Sequence, residues 1–292
     1  MSPVAGVMTI PDYMSPVQIV EHVQRLESLG YKYVWMPDIF GREIYVTAGY
    51  ILAHTTRIGV ASAIAHVYGR DYIASAQAAR TLSEFSGGRF IQGLGVSNPL
   101  ASQIRGIPWE NPVQKIREYV TAIRDYTPMN TPFNGPPVKI FVAAHGPKML
   151  AVAAEVADGA NTYMQTPEHT AQARKILGPD KALNVLLPCC LSTDPIAARE
   201  AGRRAISIYL PLPAYQNQWA SQGFTQADWS DNGSDRLVDT YVAWGNLETI
   251  LARMQEHIDA GATEIEIAAA SATPEIAGSE WELLEAVAPN RL

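Results

Sequence analysis

Two cysteines occur in 292 residues, and they are adjacent, Cys189 and Cys190. Neighbouring thiols cannot close a long loop, so a stabilising disulfide within the chain is excluded and the protein reads as reduced and cytoplasmic. Their place in an apolar run favours a buried structural role over a reactive one. Long hydrophobic runs are missing too. The longest apolar stretches, Val185 to Leu191 and Ile265 to Ala270, fall far short of the roughly 20 residues that cross a bilayer. The start Met1-Ser2-Pro3-Val4 has no basic segment followed by an apolar one, so neither a secretory leader nor a membrane is expected. Basic residues are few: 22 Lys and Arg against 29 Asp and Glu give a net charge of −7, with no Lys/Arg run of five or six. Phosphate backbones are held by basic patches, so nucleic acid is not an expected partner. No HExxH or CxxC spacing points to a metal, and no G-x-S-x-G elbow points to a serine hydrolase.

What is present is an ordinary globular composition, 47% hydrophobic and 17% charged, enough to bury a large core. Short apolar or β-branched runs alternate with longer segments of helical periodicity. Eight strands are expected: Gly6 to Ile10, Lys32 to Met36, Arg57 to Ile64, Arg89 to Gly95, Lys139 to Ala143, Gly159 to Tyr163, Asn184 to Leu191 and Glu264 to Ala268. Between the first two, Val17, Ile19, Val20, Val23, Leu26 and Leu29 recur at helical spacing after Ser15-Pro16, an N-cap followed by proline at the first helical position. Eight βα units imply an α/β (β/α)8 TIM barrel, taken as one domain over 1–292; a doubly wound open sheet is the alternative. The eighth strand starts about 80 residues after the seventh. They include the aromatic-rich stretch Tyr215 to Trp229 and the turn signal Asp231-Asn232-Gly233-Ser234. An insertion over about 210–243 follows, read as a lid or oligomer contact, with an inert surface excursion as the other reading.

In a barrel the ligand lies where strands end and βα loops begin. That filter selects Asp38, Ser62 to His66, Gly95 to Asn98, Ala143 to Lys148, Tyr163-Met164 and Cys189 to Ser192. In Ala144-His145-Gly146-Pro147-Lys148, small residues end a strand and Gly-Pro opens a helix. Free N–H groups and the positive helix end favour an anion there, with Lys148 adding charge, although a plain strand-to-helix turn would look similar. Gly93-Leu94-Gly95 lacks the third glycine of a dinucleotide fingerprint. Its glycines are expected to let a planar ring approach the backbone. Asp38 is either a polar ligand of a heterocycle or a helix-capping residue.

Leu29 to Asp38 (LGYKYVWMPD) and Leu82 to Ser97 (LSEFSGGRFIQGLGVS) resemble the luciferase-like monooxygenase superfamily. The resemblance continues through Ala144 to Leu150, Ala157 to Ala160, Trp244-Gly245 and Ala260 to Thr263, and so covers most of the chain. Ala65-His66-Val67-Tyr68-Gly69-Arg70-Asp71 is similar to an actinobacterial subgroup that depends on the deazaflavin coenzyme F420. The resemblance implies a barrel, usually a homodimer, holding the ring of F420 or FMN against the end of the third strand. There a non-prolyl cis peptide forms a bulge, which falls at Ala63-Ile64 in this sequence. It further implies ring and phosphate contacts from Asp38, Ser62, Ala63, Ile64, Ser97, Asn98, Ala144, His145, Gly146, Pro147 and Lys148.

The sequence departs from the superfamily's deazaflavin-dependent alcohol and sugar-phosphate dehydrogenases. Those enzymes place a histidine just after the Asp38 position, a tryptophan four residues beyond it and a glutamate in the fourth-strand loop. Here the three positions hold Ile39, Glu43 and Asn98. Without the histidine base the expected activity is a reductase, which passes hydride from reduced F420 to an electron-poor C=C, C=O or C=N of a small substrate. His66, Tyr68 and Glu43 are the candidate proton donors. The alternatives are an FMN-dependent monooxygenase and a barrel that binds a flavin-like ligand without turnover. A phosphate and an oligoglutamate tail need local positive charge on an acidic protein. Lys148, Arg70 and Arg105 could supply it, whereas Arg57 and Lys139 begin strands and should face the opposite end.

Overall fold

The computed structural model describes residues 3–129, 133–273 and 280–292. Its strands are β1 (Val4–Met8), β2 (Tyr33–Met36), β3 (Gly59–Ser62), β4 (Ala65–His66), β5 (Phe90–Gly95), β6 (Lys139–Ala143), β7 (Gly159–Tyr163), β8 (Ala182–Leu191), β9 (Ala243–Gly245) and β10 (Glu264–Ala269). Every pairing is parallel, and β10 pairs both β8 and β1. The sheet therefore closes on itself as a (β/α)8 barrel, and the open-sheet alternative is excluded. Parallel strands need crossovers, and helices such as Pro16–Ser28, Tyr72–Ser86, Pro112–Asp125 and Pro147–Val156 supply them.

Local sequence explains where these elements start. The Ser15 hydroxyl accepts from the Gln18 N–H at 3.3 Å while the Gln18 side chain accepts from the Ser15 N–H at 2.9 Å, closing a capping box ahead of Pro16. Ile19, Val23 and Leu26 then lie buried on one helix face. Asp71, Asn98, Asn111, Thr166 and Asn246 cap later helices through side-chain oxygens that accept first-turn N–H groups.

Two strands depart from the expected boundaries. The first runs over Val4–Met8 rather than Gly6 to Ile10, because Val4 pairs with Ile265 and Pro11 turns the chain at the other end. The run from Arg57 to Ile64 is broken into β3 and β4. Ala61 pairs with Ile91 and Ala65 with Leu94, so one extra residue stands on the β3–β4 side, which is a β-bulge. The Ser62 hydroxyl fills the gap, donating to the Gly93 carbonyl (2.7 Å) and accepting from the Gly93 N–H (2.9 Å). The Ala63-Ile64 peptide within the bulge is cis, as the resemblance implies.

Trp35, Ala61, Ile91 and Phe141 pack inside the barrel, and a larger apolar layer joins its outer face to the helices. The expected insertion is present as helices Pro213–Ser221, Gln226–Trp229 and Asp235–Tyr241. These close over a core of their own containing Trp219, Leu237, Val238 and Tyr241. The unexpected strand β9 extends the sheet at the end of β8, pairing Ala243 with Cys189 and Gly245 with Leu191.

Candidate active site

The strand ends gather two groups of residues on the carboxyl rim. The first surrounds the bulge. Asp38 follows β2 and is buried; its Oδ2 accepts from the His66 backbone N–H (3.2 Å) and from Arg70 Nη1 (2.8 Å). Its own N–H donates to the Ile64 carbonyl at 3.4 Å, tying β2 to the bulge. Asp38 caps no helix: Glu43 caps Ile44–Ala53, its carboxylate accepting from the Val46 N–H at 2.7 Å. Glu43 also accepts from Arg70, whose guanidinium thus joins both carboxylates. His66 lies on β4, and burial holds its pKa below the ordinary histidine value against the pull of Asp38.

The Gly93 and Gly95 expectation needs correction. A Cβ on Gly93 would stand 1.8 Å from the Ser62 carbonyl oxygen, and one on Gly95 would stand 2.6 Å from the Ile64 side chain. These glycines make room for the bulge itself rather than for a ring. Ser97 adopts a left-handed φ of 59°, and Asn98 caps helix Pro99–Ile104 through Oδ1, which accepts from the Ala101 N–H at 3.0 Å. The Tyr68 hydroxyl accepts from the Glu110 N–H (3.2 Å), and its ring lies beside Trp109. Of the three candidate donors, Glu43 and Tyr68 are thus engaged in the protein's own bonding.

The second group lies at the end of β6, two strand positions from β3 along the rim, which is about 10 Å at ordinary strand spacing. Ala144 is buried, its N–H donating to the Asn161 carbonyl. Gly146 is the N-cap of Pro147–Val156, and among the described residues no side chain caps that helix. First-turn N–H groups are therefore left to water or a ligand. A Cβ on Gly146 would meet nothing within 4 Å, and Lys148 is exposed beside it. Lys139 starts β6 at the opposite end, as expected.

His145 is set by partners that the strand-end filter did not select. Gln165 Nε2 donates to the Tyr163 carbonyl at 3.2 Å, which fixes the amide orientation and points the same nitrogen at His145 Nδ1, also 3.2 Å away. Nδ1 must then accept, so the proton sits on Nε2. Burial lowers the His145 pKa to about 4, keeping the ring neutral. His169 Nε2 donates to the His145 carbonyl at 2.7 Å and braces the loop. Tyr215 of the insertion lies 5.7 Å from the His145 ring, and Gln218 donates to the Met164 carbonyl at 3.1 Å. The insertion therefore reaches the rim. Its cavity of about 660 Å³, lined by residues such as Leu210, Gln216, Trp229 and Asn232, holds no titratable group.

Beneath the rim, Glu266 and Asn161 have, among the described residues, no hydrogen-bond partner for any of their side-chain oxygen or nitrogen atoms. Glu266 is 2% exposed, and burial drives its pKa well above the ordinary carboxylate value. Among the described residues no three His, Cys, Asp or Glu side chains gather as metal ligands, and no helix is long and apolar enough to cross a membrane.

The sequence matches the family described as luciferase-like monooxygenase over residues 3–264. A 5,10-methylenetetrahydromethanopterin reductase of Methanolobus tindarius is 26% identical, over 89% of this chain and 92% of that protein. An F420-dependent secondary alcohol dehydrogenase, solved with an F420-acetone adduct, superposes with a TM-score of 0.77 at 16% identity, covering 100% of both chains. The FMN-bound oxygenating component of a Pseudomonas putida 3,6-diketocamphane monooxygenase superposes with a TM-score of 0.74 at 13% identity, over 98% of this chain and 97% of that one. At such identities the two structures establish a shared fold.

Proposed function

Because the chain belongs to the luciferase-like monooxygenase family, we propose that it is an oxidoreductase transferring hydride between coenzyme F420 and a small organic substrate. We propose further that it works as a reductase of an electron-poor C=C, C=O or C=N. The observation that carries the reductase reading is the state of the rim carboxylates. Arg70 holds both Asp38 and Glu43, and Ile39 stands where an alcohol-oxidising relative has its histidine base. With both carboxylates engaged by Arg70, neither is free to remove a hydroxyl proton, which favours hydride delivery to an acceptor over oxidation of an alcohol.

The residues present fit the cofactor. Gly146 leaves open space at an uncapped helix N-terminus beside Lys148, a place for a phosphate. The neutral His145 ring offers an Nε2 proton on the same loop. Asp38 and the Ala63-Ile64 bulge, braced from behind by the buried Ser62, offer a wall for a planar ring. When bound, the deazaflavin supplies the hydride; the protein supplies orientation and exclusion of water. His66, buried beside the bulge, is the donor candidate without a side-chain bond of its own among the described residues; it would donate from its imidazolium form, which burial makes the stronger acid. The choice of F420 over FMN is supported by a putative coenzyme F420-dependent oxidoreductase of Mycobacterium tuberculosis, 28% identical over 49% of this chain and 50% of that protein, and the test is turnover of reduced F420 with a panel of enones, ketones and imines. Oxidation of the cofactor that requires the acceptor supports the reading; oxygen-dependent turnover with reduced FMN alone overturns it.

We also propose a homodimer in the cytoplasm. Val17 and Val46 are 64% and 72% exposed, and their helices are tied where Tyr50 donates to the Pro16 carbonyl. A second copy of the chain would cover this apolar face. Light scattering giving a monomer mass at micromolar concentration would rule the dimer out, and cell fractionation checks the compartment.

A further inference from the structure

Two arginines stand beside Asp38, and they are bonded differently. Arg70 donates through Nε, Nη1 and Nη2 to Asp38 and Glu43. Arg105, at the end of helix Pro99–Ile104, donates its backbone N–H to the Gln103 carbonyl, but its side chain makes no hydrogen bond among the described residues. Its Nε is enclosed without a partner, and its nearest carboxylate oxygen, Asp38 Oδ1, lies 3.7 Å from Nη2, beyond hydrogen-bond reach. Yet the side chain is only 24% exposed. A guanidinium carries five donors, and partial burial without acceptors is costly unless something else supplies them. Asp38 cannot move onto Arg105 without giving up Arg70 and the His66 N–H, and Glu43 is held by Arg70 and its own helix cap.

Position and surroundings say what the missing acceptor is. Arg105 lies against the loop that follows β4: a Cβ on Gly69 would stand 3.2 Å from its Nη1. It is therefore at the rim, beside the bulge. Its Cζ lies 5.2 Å from the centroid of the Phe40 ring, and that ring is 58% exposed. A planar cation with free donors beside an exposed aromatic ring matches a carboxylate attached to an apolar body, since the guanidinium fork pairs two carboxylate oxygens at once.

We propose that Arg105 seats a ligand carboxylate through its two Nη atoms, with the ligand's apolar portion on Phe40. This deepens the function proposed above by naming a substrate class, an apolar carboxylic acid. It rests on that reading only in taking the rim as the site. A carboxylate from the glutamyl tail of the cofactor has the same chemistry, and the experiment separates the two sources.

The test uses the full chain, cofactor-free, labelled with 15N at arginine, with the Arg105 Nε–H signal assigned by its loss in Arg105→Gln. Benzoate is titrated at constant ionic strength, with benzamide as the neutral isostere. The expected result is a saturable benzoate shift of that signal, none from benzamide, and, by isothermal titration calorimetry, benzoate affinity at least 10-fold weaker in Arg105→Gln. Arg105→Lys, which keeps the charge but not the fork, should fall between. A benzoate response unchanged in Arg105→Gln, an equal response to benzamide, or no response at all overturns the proposal. Repeating the titration with F420 and with a deazaflavin lacking phosphate and tail assigns the source. Benzoate excluded by F420 alone means that the tail is the carboxylate; benzoate binding alongside F420 means that the substrate is. Failure of F420 to bind would strike the proposed function and leave the benzoate result standing.

Discussion

Replacing Gly146 by valine separates folding from binding at the β6 rim. The glycine has φ −83° and ψ 157°, a conformation any residue adopts, and a Cβ there meets nothing within 4 Å. The structural cost is therefore limited to a poorer N-cap, about 1 kcal/mol, which for a chain of this size lowers Tm by about 2–4 °C. Binding should suffer far more. The side chain would fill the space in front of uncapped N–H groups, and a hydrogen bond to a charged partner contributes about 1.5–3 kcal/mol. Losing two such bonds gives at least about 3 kcal/mol, roughly a hundredfold in Kd. Fluorescence titration of wild type and Gly146→Val with F420, alongside thermal melts, reads both effects. Affinity unchanged within threefold in a normally folded variant would refute the placement of the phosphate. A loss of 10 °C or more in Tm would refute the claim that the glycine has no structural duty.

Glu266 gives a stability test. Its carboxyl keeps its proton because it is buried, whereas the unfolded chain releases a proton near the ordinary value of 4.5. Stability therefore falls as pH rises above that range, by about 1.4 kcal/mol per pH unit while the native state stays protonated. Glu266→Gln should raise Tm at pH 7 and flatten this slope; chemical denaturation showing the variant less stable at pH 7 would contradict it. His145 and His257 work in the other direction. Burial lowers both from 6.5 to about 4, so the unfolded state takes up protons first, and stability is lost as pH falls from 6.5 toward 4, by about 1.4 kcal/mol per pH unit for each. NMR titration should find both rings neutral at pH 5.5, and a midpoint near 6.5 for either would count against the burial argument.

The barrel was legible because parallel strands buried on both faces show as apolar runs, and β2, β6 and β7 lie within a residue of where those runs put them. The break between β3 and β4 was not visible in periodicity, since it depends on the Ser62 hydroxyl entering the ladder to Gly93. β9 is only three residues long and forms by pairing with β8, a contact 54 residues distant in sequence. At the site, the strand-end rule found Asp38, His66 and the Ala144 to Lys148 loop, because position along a strand is a local property. Partners were hidden. Arg70 and Arg105 could be named as rim cations, but their opposite bonding to Asp38 is set by tertiary distance. Gln165, on the neighbouring βα loop, sets the His145 tautomer, and His169, on the helix that follows, holds the His145 carbonyl. Glu266 was masked by the apolar residues around it, although its alternation with Ile265 and Ile267 marks the residue that points into the barrel rather than toward the helices.

The central claim is that the rim holds a deazaflavin for hydride transfer. Its most direct test is a paired titration of the cofactor-free protein with F420 and with FMN, followed by fluorescence at two salt concentrations. The account predicts tight F420 binding that weakens with salt, and little affinity for FMN. FMN binding more tightly than F420 would contradict it and make the chain a monooxygenase, to be assayed with oxygen and a flavin reductase.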